Sequence, residues 1–188
     1  MDGLTAVLCS RNRHKARELT RLLPGWTIEP LMRDDYPPET GATYYENAAA
    51  KARFGRRYAP AAAWTLGEDS GLEVAALGGR PGVYSARYAP EGPPAVARLL
   101  AELEAVDDRR ARYVCELVLV GPDGRELRGT GTLAGRIARE ARGSEGFGYD
   151  PIFVPEGEER TVAELGDAWK AEHSHRARAA RALLAALA

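Results

Sequence analysis

Glu68-Asp69-Ser70-Gly71 runs on from the apolar stretch 61–66 and leads into the apolar stretch 72–76. Two short strands, 64–66 and 72–76, are predicted to flank an acidic turn here. Adjacent carboxylates at a strand tip repel one another, so the tip needs a cation or a proton to settle it. Oxygen-only donors of this kind suit Mg²⁺, which commonly arrives with phosphates. Taken alone, the tetrapeptide fits a plain polar turn slightly better. The rest of the chain shifts that balance.

Working outward, residues 4–9 form a short apolar run that predicts a buried strand. Asn12 can cap the helix after it, on which Ala16, Leu19, Leu22 and Leu23 share a face, and Pro24-Gly25 ends that helix. A second strand is expected at 26–31. Thr43 and Glu46 fit a capping box opening a helix towards residue 57. Downstream, the pattern predicts a turn at 78–82, a helix at 94–105 and a strand at 112–120. Pro122-Asp123-Gly124 then makes a hairpin into 125–133, and a final helix capped by Ser174 carries Ala177, Ala180, Leu183, Leu184 and Leu187 on one face. Early alternation of strand and helix with a late hairpin predicts an α/β fold with a mixed sheet, and no linker divides 1–188.

The 188 residues are 45% hydrophobic, which is ordinary globular composition, and suffice for a sizeable core. A net charge of -1 argues against a general binder of nucleic-acid polymers, so any phosphate site is local. No stretch is long and apolar enough to span a bilayer, and no signal-peptide core opens the chain. Cys9 and Cys115 lie in apolar runs and read as buried reduced thiols, as in a cytoplasmic protein. Of 26 basic residues only Lys15, Lys51 and Lys170 are lysines. Where arginine is the default, a lysine marks a site wanting a compact point charge.

The first strand-to-helix junction is Ser10-Arg11-Asn12-Arg13-His14-Lys15. A helix N-terminus offers unpaired N–H groups, Ser10 and Asn12 add hydrogen bonds, and Lys15 adds charge, which together can hold a phosphate. The glycines of a P-loop are absent, and Asn12 also serves as a plain cap. Glu39 sits in the loop before the second helix and Lys51 within that helix, either solvated or reaching over a polyphosphate. In Gly146-Phe147-Gly148-Tyr149-Asp150-Pro151, glycines leave Phe147 and Tyr149 exposed, and an exposed Phe can stack on a base; a structural turn with both rings packed inward is the alternative. Ser174-His175-Arg176 opens the last helix with donors for carbonyl oxygens.

These motifs in this order resemble the Ham1-like (inosine triphosphatase-like) nucleoside triphosphate pyrophosphatases. The resemblance also takes in Glu39-Thr40-Gly41, Glu46-Asn47-Ala48 and the run from Gly78 to Tyr88. It implies an elongated mixed sheet with two lobes and a cleft, a homodimer, and Mg²⁺-dependent hydrolysis of ITP, dITP and XTP to the monophosphate and pyrophosphate. It implies that Asp69 is the general base and that Glu39 with Glu68 or Asp69 holds the metal. Ser10, Asn12, Lys15, Lys51 and Ser70 would hold phosphates, with Arg11, Arg13 and His14 in the same loop. Phe147, Asp150, Lys170, His175 and Arg176 would hold and read the base, with Gly148 and Tyr149 beside them.

The sequence departs from the family pattern at four positions. Arg11 stands where glycine is usual, Ser10 for threonine, Glu68 for aspartate, and His173 for an apolar residue. Because adjacent strand residues face opposite ways, Glu68 and Asp69 can share a metal only if the strand bends at Ser70-Gly71. A Maf-like pyrophosphatase for modified pyrimidine nucleotides and a non-catalytic nucleotide-binding protein are the competing readings. The base-reading segments speak against the first, and the set Glu39, Glu68 and Asp69 against the second.

Overall fold

The computed structural model describes residues 4–90 and 92–187. In chain order these form β1 (Leu4–Leu8), α1 (Arg13–Leu22), β2 (Trp26–Pro30), α2 (Tyr44–Gly55), β3 (Trp64–Val74) and α3 (Pro93–Glu102). Then follow β4 (Arg110–Val120), β5 (Glu126–Ile137), β6 (Phe153–Pro155), α4 (Val162–His173) and α5 (His175–Leu187). The strand order is β2-β1-β3-β4-β5-β6. β1 pairs parallel with β2 and β3, whereas β5 pairs antiparallel with β6, so the sheet is mixed, as the sequence pattern predicts. Two compact units emerge. One comprises Met1–Asp69, Cys115–Gly131 and Arg176–Ala188, the other Ser70–Val114 and Thr132–His175.

In the first unit, period-2 alternation sends neighbouring strand residues to opposite faces. Leu66 on β3 and Cys115, Leu117 and Leu119 on β4 pack with Ala16 and Leu19 of α1 and Ala179, Ala180 and Leu183 of α5. Val118 and Val120 pack instead on Ala48, Ala49 and Ala52 of α2. The small residues of α2 let it lie very close to β3. A Cβ on Gly67 would sit 1.9 Å from the Ala48 carbonyl oxygen. Both helices start as their caps require. Asn12 Oδ1 accepts from the His14 and Lys15 N–H groups, and Thr43 and Glu46 form the reciprocal box. Each such cap is worth about 1 kcal/mol.

In the second unit, Leu72 and Val74 of β3, Val96 and Leu99 of α3, Tyr113 of β4 and Leu133 and Ile137 of β5 share one core with Tyr149, Ile152, Phe153 and Val162. α4 opens at a second capping box, Thr161 with Glu164, and kinks at Gly166, whose φ of 84 falls in the left-handed region.

Two sequence expectations need correction, and two elements were missed. The stretch Glu68-Asp69-Ser70-Gly71 is no turn: β3 runs unbroken through it. Hydrogen-bonded strand partners and buried countercharges, described below, replace the solvent that a turn would have supplied. Tyr149 is buried, not exposed, because its ring joins the core of the second unit. β6 and α4 were not anticipated.

Candidate active site

Gly67 and Asp69 lie on the face of β3 that carries α2, and Leu66 and Glu68 on the face that carries α1 and α5. The close approach at Gly67 brings Asn47 and Lys51 of α2 alongside Asp69. Asn47 Nδ2 donates to Asp69 Oδ2 at 3.0 Å. Lys51 Nζ donates to Asp69 Oδ1 at 3.2 Å and to Glu39 Oε1 at 2.6 Å. Thus Glu39 and Asp69, thirty positions apart in the chain, converge on one ammonium group. Lys51 is buried rather than solvated.

The charges here are strongly coupled. Burial pushes the Asp69 carboxyl above its ordinary value; Lys51 opposes this, and the neighbouring Glu68 charge adds to it. Burial works against a charged Lys51, but Asp69 and Glu39 outweigh it and hold the ammonium protonated. Lys51 is thus shared between two carboxylates, and the positive charge near Asp69 does not fully offset its burial. Hard oxygen donors in this state fit a divalent ion that keeps water and phosphate oxygens in its remaining positions, the habit of Mg²⁺. Among the described residues, no group of three or more His, Cys, Asp or Glu side chains gathers into a complete metal cage.

Glu68 faces the other way, and the bend at Ser70-Gly71 that would let it share a metal with Asp69 is absent. Its carboxylate is fully buried. Lys15 Nζ lies 2.6 Å from Oε2, and Arg176 Nη2 donates to Oε1 at 2.8 Å. Arg176 is also hydrogen-bonded through Nη1 to Glu18 of α1. Burial would raise the Glu68 carboxyl, yet Lys15 and Arg176 outweigh it and hold the group well below the carboxylate range. A lowered carboxyl contributes stability above its unfolded-state value and loses it as pH falls through the folded value. Glu68→Gln is therefore expected to be less stable than the wild type at pH 7, and the gap is expected to close as pH falls below 4.5. Urea midpoints measured across that range check it; a gap that stays constant would refute the ion-pair account.

At the other end of the sequence motif, Ser10 Oγ accepts the Asn12 N–H at 3.2 Å. Asn12 Oδ1 is spent on the helix cap, where it accepts the His14 and Lys15 N–H groups at 2.9 and 3.2 Å. Arg11, Arg13 and His14 are exposed, and Arg11 lies 6.0 Å from the Tyr36 ring centroid. Ser70 follows Asp69 on β3 and opens the second unit.

The base-reading candidates Phe147, Gly148, Tyr149, Asp150, Lys170 and His175 lie in the second unit, and Arg176 in the first. Asp150 organises its loop. Oδ2 accepts from the Phe147 N–H at 2.9 Å and from Lys170 Nζ at 2.8 Å, and Oδ1 accepts from the Tyr113 hydroxyl at 3.3 Å. The Lys170 ammonium lies 4.6 Å from the centroid of the half-buried Phe147 ring. Tyr113 also stacks on the His175 ring, centroids 4.5 Å apart at 14°. Gly146, with φ of 79, has no room for a Cβ, which would fall 2.2 Å from Asp150 Oδ2.

Sequence reasoning assigned no role to Asn47, Glu18 or Tyr113. A polar Asn on the alanine face of α2 was the available signal for the first. Glu18 carries no local signal, since its partner lies 158 residues away.

A model of the Ham1 family matches residues 6–186. The dITP/XTP pyrophosphatase of Gloeobacter violaceus is 44% identical over 181 residues, spanning 95% of this chain and 91% of that one. The dITP/XTP pyrophosphatase of Rhodospirillum centenum is 46% identical over 195 residues, spanning 97% and 94%. The solved structure of the Staphylococcus aureus Ham1 protein is similar at a TM-score of 0.84, with 37% identity and 97% of each chain covered. Likeness at this level over almost the full length extends well past a shared sheet topology, and the chain belongs to the Ham1 family.

Proposed function

We propose that this protein hydrolyses the non-canonical purine nucleoside triphosphates ITP, dITP and XTP to the monophosphate and pyrophosphate, clearing deaminated purines from the nucleotide pool. The observation that carries the proposal is the convergence of Glu39 and Asp69 on Lys51 against a buried strand. A triphosphate brings about four negative charges, and displacement at phosphorus spreads further charge over its oxygens. A site for it needs cations held in a dry setting, together with a carboxylate that can take a proton.

The residues present divide that work. Asp69, fixed through both oxygens, accepts the proton of the attacking water at its carboxylate. Glu39 and Asp69 would hold Mg²⁺, which supplies charge neutralisation on the phosphate oxygens. Lys51 and Lys15 add positive charge for the phosphates, and Ser10, Asn12 and Ser70 add hydrogen bonds. Glu68 serves as the anchor for Lys15 and Arg176. On the base side, Phe147 offers a ring face, while Asp150 and Lys170 hold the loop that carries it. Backbone donors and His175 answer the 6-oxo group of hypoxanthine and xanthine. Adenine, with an amino group there, would leave those donors unpaired, which is a strong basis for rejection. The reading extends to a homodimer in the cytoplasm, as the resemblance implies; sedimentation of the purified protein tests the dimer.

Pyrophosphate release across ITP, dITP, XTP and ATP, with and without Mg²⁺, tests the function. The three deaminated substrates are expected to exceed ATP in kcat/KM by at least about 100-fold, and turnover is expected to require the metal. Equal rates on ATP and ITP would refute the base assignment.

A further inference from the structure

Asn47 is 2% exposed and spends both ends of its amide. Nδ2 donates to Asp69 Oδ2 at 3.0 Å, and Oδ1 accepts the Gly41 N–H at 2.8 Å. Chemistry fixes which way the amide points. A backbone N–H only donates and a carboxylate only accepts, so turning the amide over would set hydrogen against hydrogen and oxygen against oxygen. Lys51 binds the other Asp69 oxygen, so the two carboxylate oxygens have different donors and the plane of the group is set.

The Gly41 end of the link is equally constrained. Gly41 lies two residues beyond Glu39. A Cβ placed on it would fall 2.6 Å from Asn47 Oδ1 and 2.8 Å from Glu46 Cβ, so this approach needs glycine. Asn47 itself is held on α2 in the turn that the capping box opens. The loop carrying Glu39 is thereby tied to the strand carrying Asp69 by a path that does not pass through Lys51.

We propose that Asn47 is a positioning residue, whose single amide sets both the orientation of the Asp69 carboxylate and its spacing from Glu39. The inference rests on the reading of Asp69 as the base. Asparagine suits both tasks. Serine is too short to span the gap, glutamine is longer by one methylene, and aspartate would turn an oxygen towards Asp69 Oδ2. Asn47→Asp is therefore an incisive variant: it keeps the volume and the bond to Gly41 but replaces an attraction with a repulsion between like charges.

The test is steady-state kinetics on ITP with Mg²⁺ for Asn47→Asp, Gly41→Ala and Asp69→Asn, each checked for folding by thermal unfolding. Asn47→Asp is expected to lose about 10–100-fold in kcat, the usual scale for a group that orients a site residue. KM is expected to stay within about threefold, because Asn47 acts through Asp69 rather than on substrate. Gly41→Ala is expected to lose kcat in the same way. A folded Asn47→Asp with wild-type kcat, or a loss carried by KM, overturns the proposal. Should Asn47→Asp fail to fold, Gly41→Ala decides, and wild-type kcat there overturns it. An inactive Asp69→Asn beside a fully active Asn47→Asp sinks the positioning role alone, whereas an active Asp69→Asn sinks the base assignment beneath it.

Discussion

Asp69→Asn is expected to lower ITP turnover by at least about 100-fold, the scale of a lost general base, while leaving the fold intact. Asparagine matches the volume of aspartate but cannot take the proton. It also has one acceptor where the carboxylate has two. Either Lys51 or Asn47 would then point a donor at an N–H₂ group, so the Glu39 spacing is disturbed as well. Stability should move little, and the sign follows from the carboxyl. Its value is raised by burial above 3.8, so the folded protein holds the proton more tightly than the unfolded chain does. Above the folded value, the ionised group costs stability rather than supplying it. Removing that charge at pH 7 in metal-free protein should leave the thermal midpoint unchanged or slightly higher. Turnover and thermal unfolding measured on the same sample separate the two effects. A loss below about tenfold would move the base role to another group.

How much of this site was legible in the sequence depends on how local each interaction is. The Asn12 cap and the Thr43–Glu46 box are contained within four residues, so the starts of α1 and α2 could be read directly. By the same rule Thr161 and Glu164 announce α4, a signal the sequence reading passed over. The continuity of β3 through Glu68 and Asp69 was not legible, because two adjacent acids argue against a buried strand unless their partners are known. Those partners come from α1, α2 and α5: Lys15, Asn47, Lys51 and Arg176. Burial of the pair is a tertiary effect overriding local preference. Tyr149 shows the same limit. Its glycine neighbours advertise a loose loop, but the core of the second unit claims the ring. The resemblance to the Ham1 family carried the motif residues together without the geometry, which is why it left Glu68 and Asp69 as alternatives beside Glu39, and the unbroken β3 sends the two to opposite faces.

The burial of Arg176 leads to the second large effect. Arg176→Met is expected to destabilise the protein by about 3–5 kcal/mol, the cost of removing one partner from a buried ion pair. The guanidinium is 1% exposed and bonds both Glu68 and Glu18. Methionine fills much of the volume, so the loss reports charge rather than a cavity. Glu68 would keep only Lys15 among its cations at bonding distance, with its carboxylate still wholly buried. The thermal midpoint should fall on the order of 10 °C for a chain of this length. Adding Glu68→Gln to Arg176→Met should recover part of the loss, because the stranded charge is then gone. A folded Arg176→Met as stable as the wild type, or a double variant whose losses simply add, would show that the pair contributes no coupling. Arg176 lies in the first turn of α5 and Glu68 precedes Asp69, so the same ion pair fixes the last helix of the first unit to the strand on which the proposed base sits.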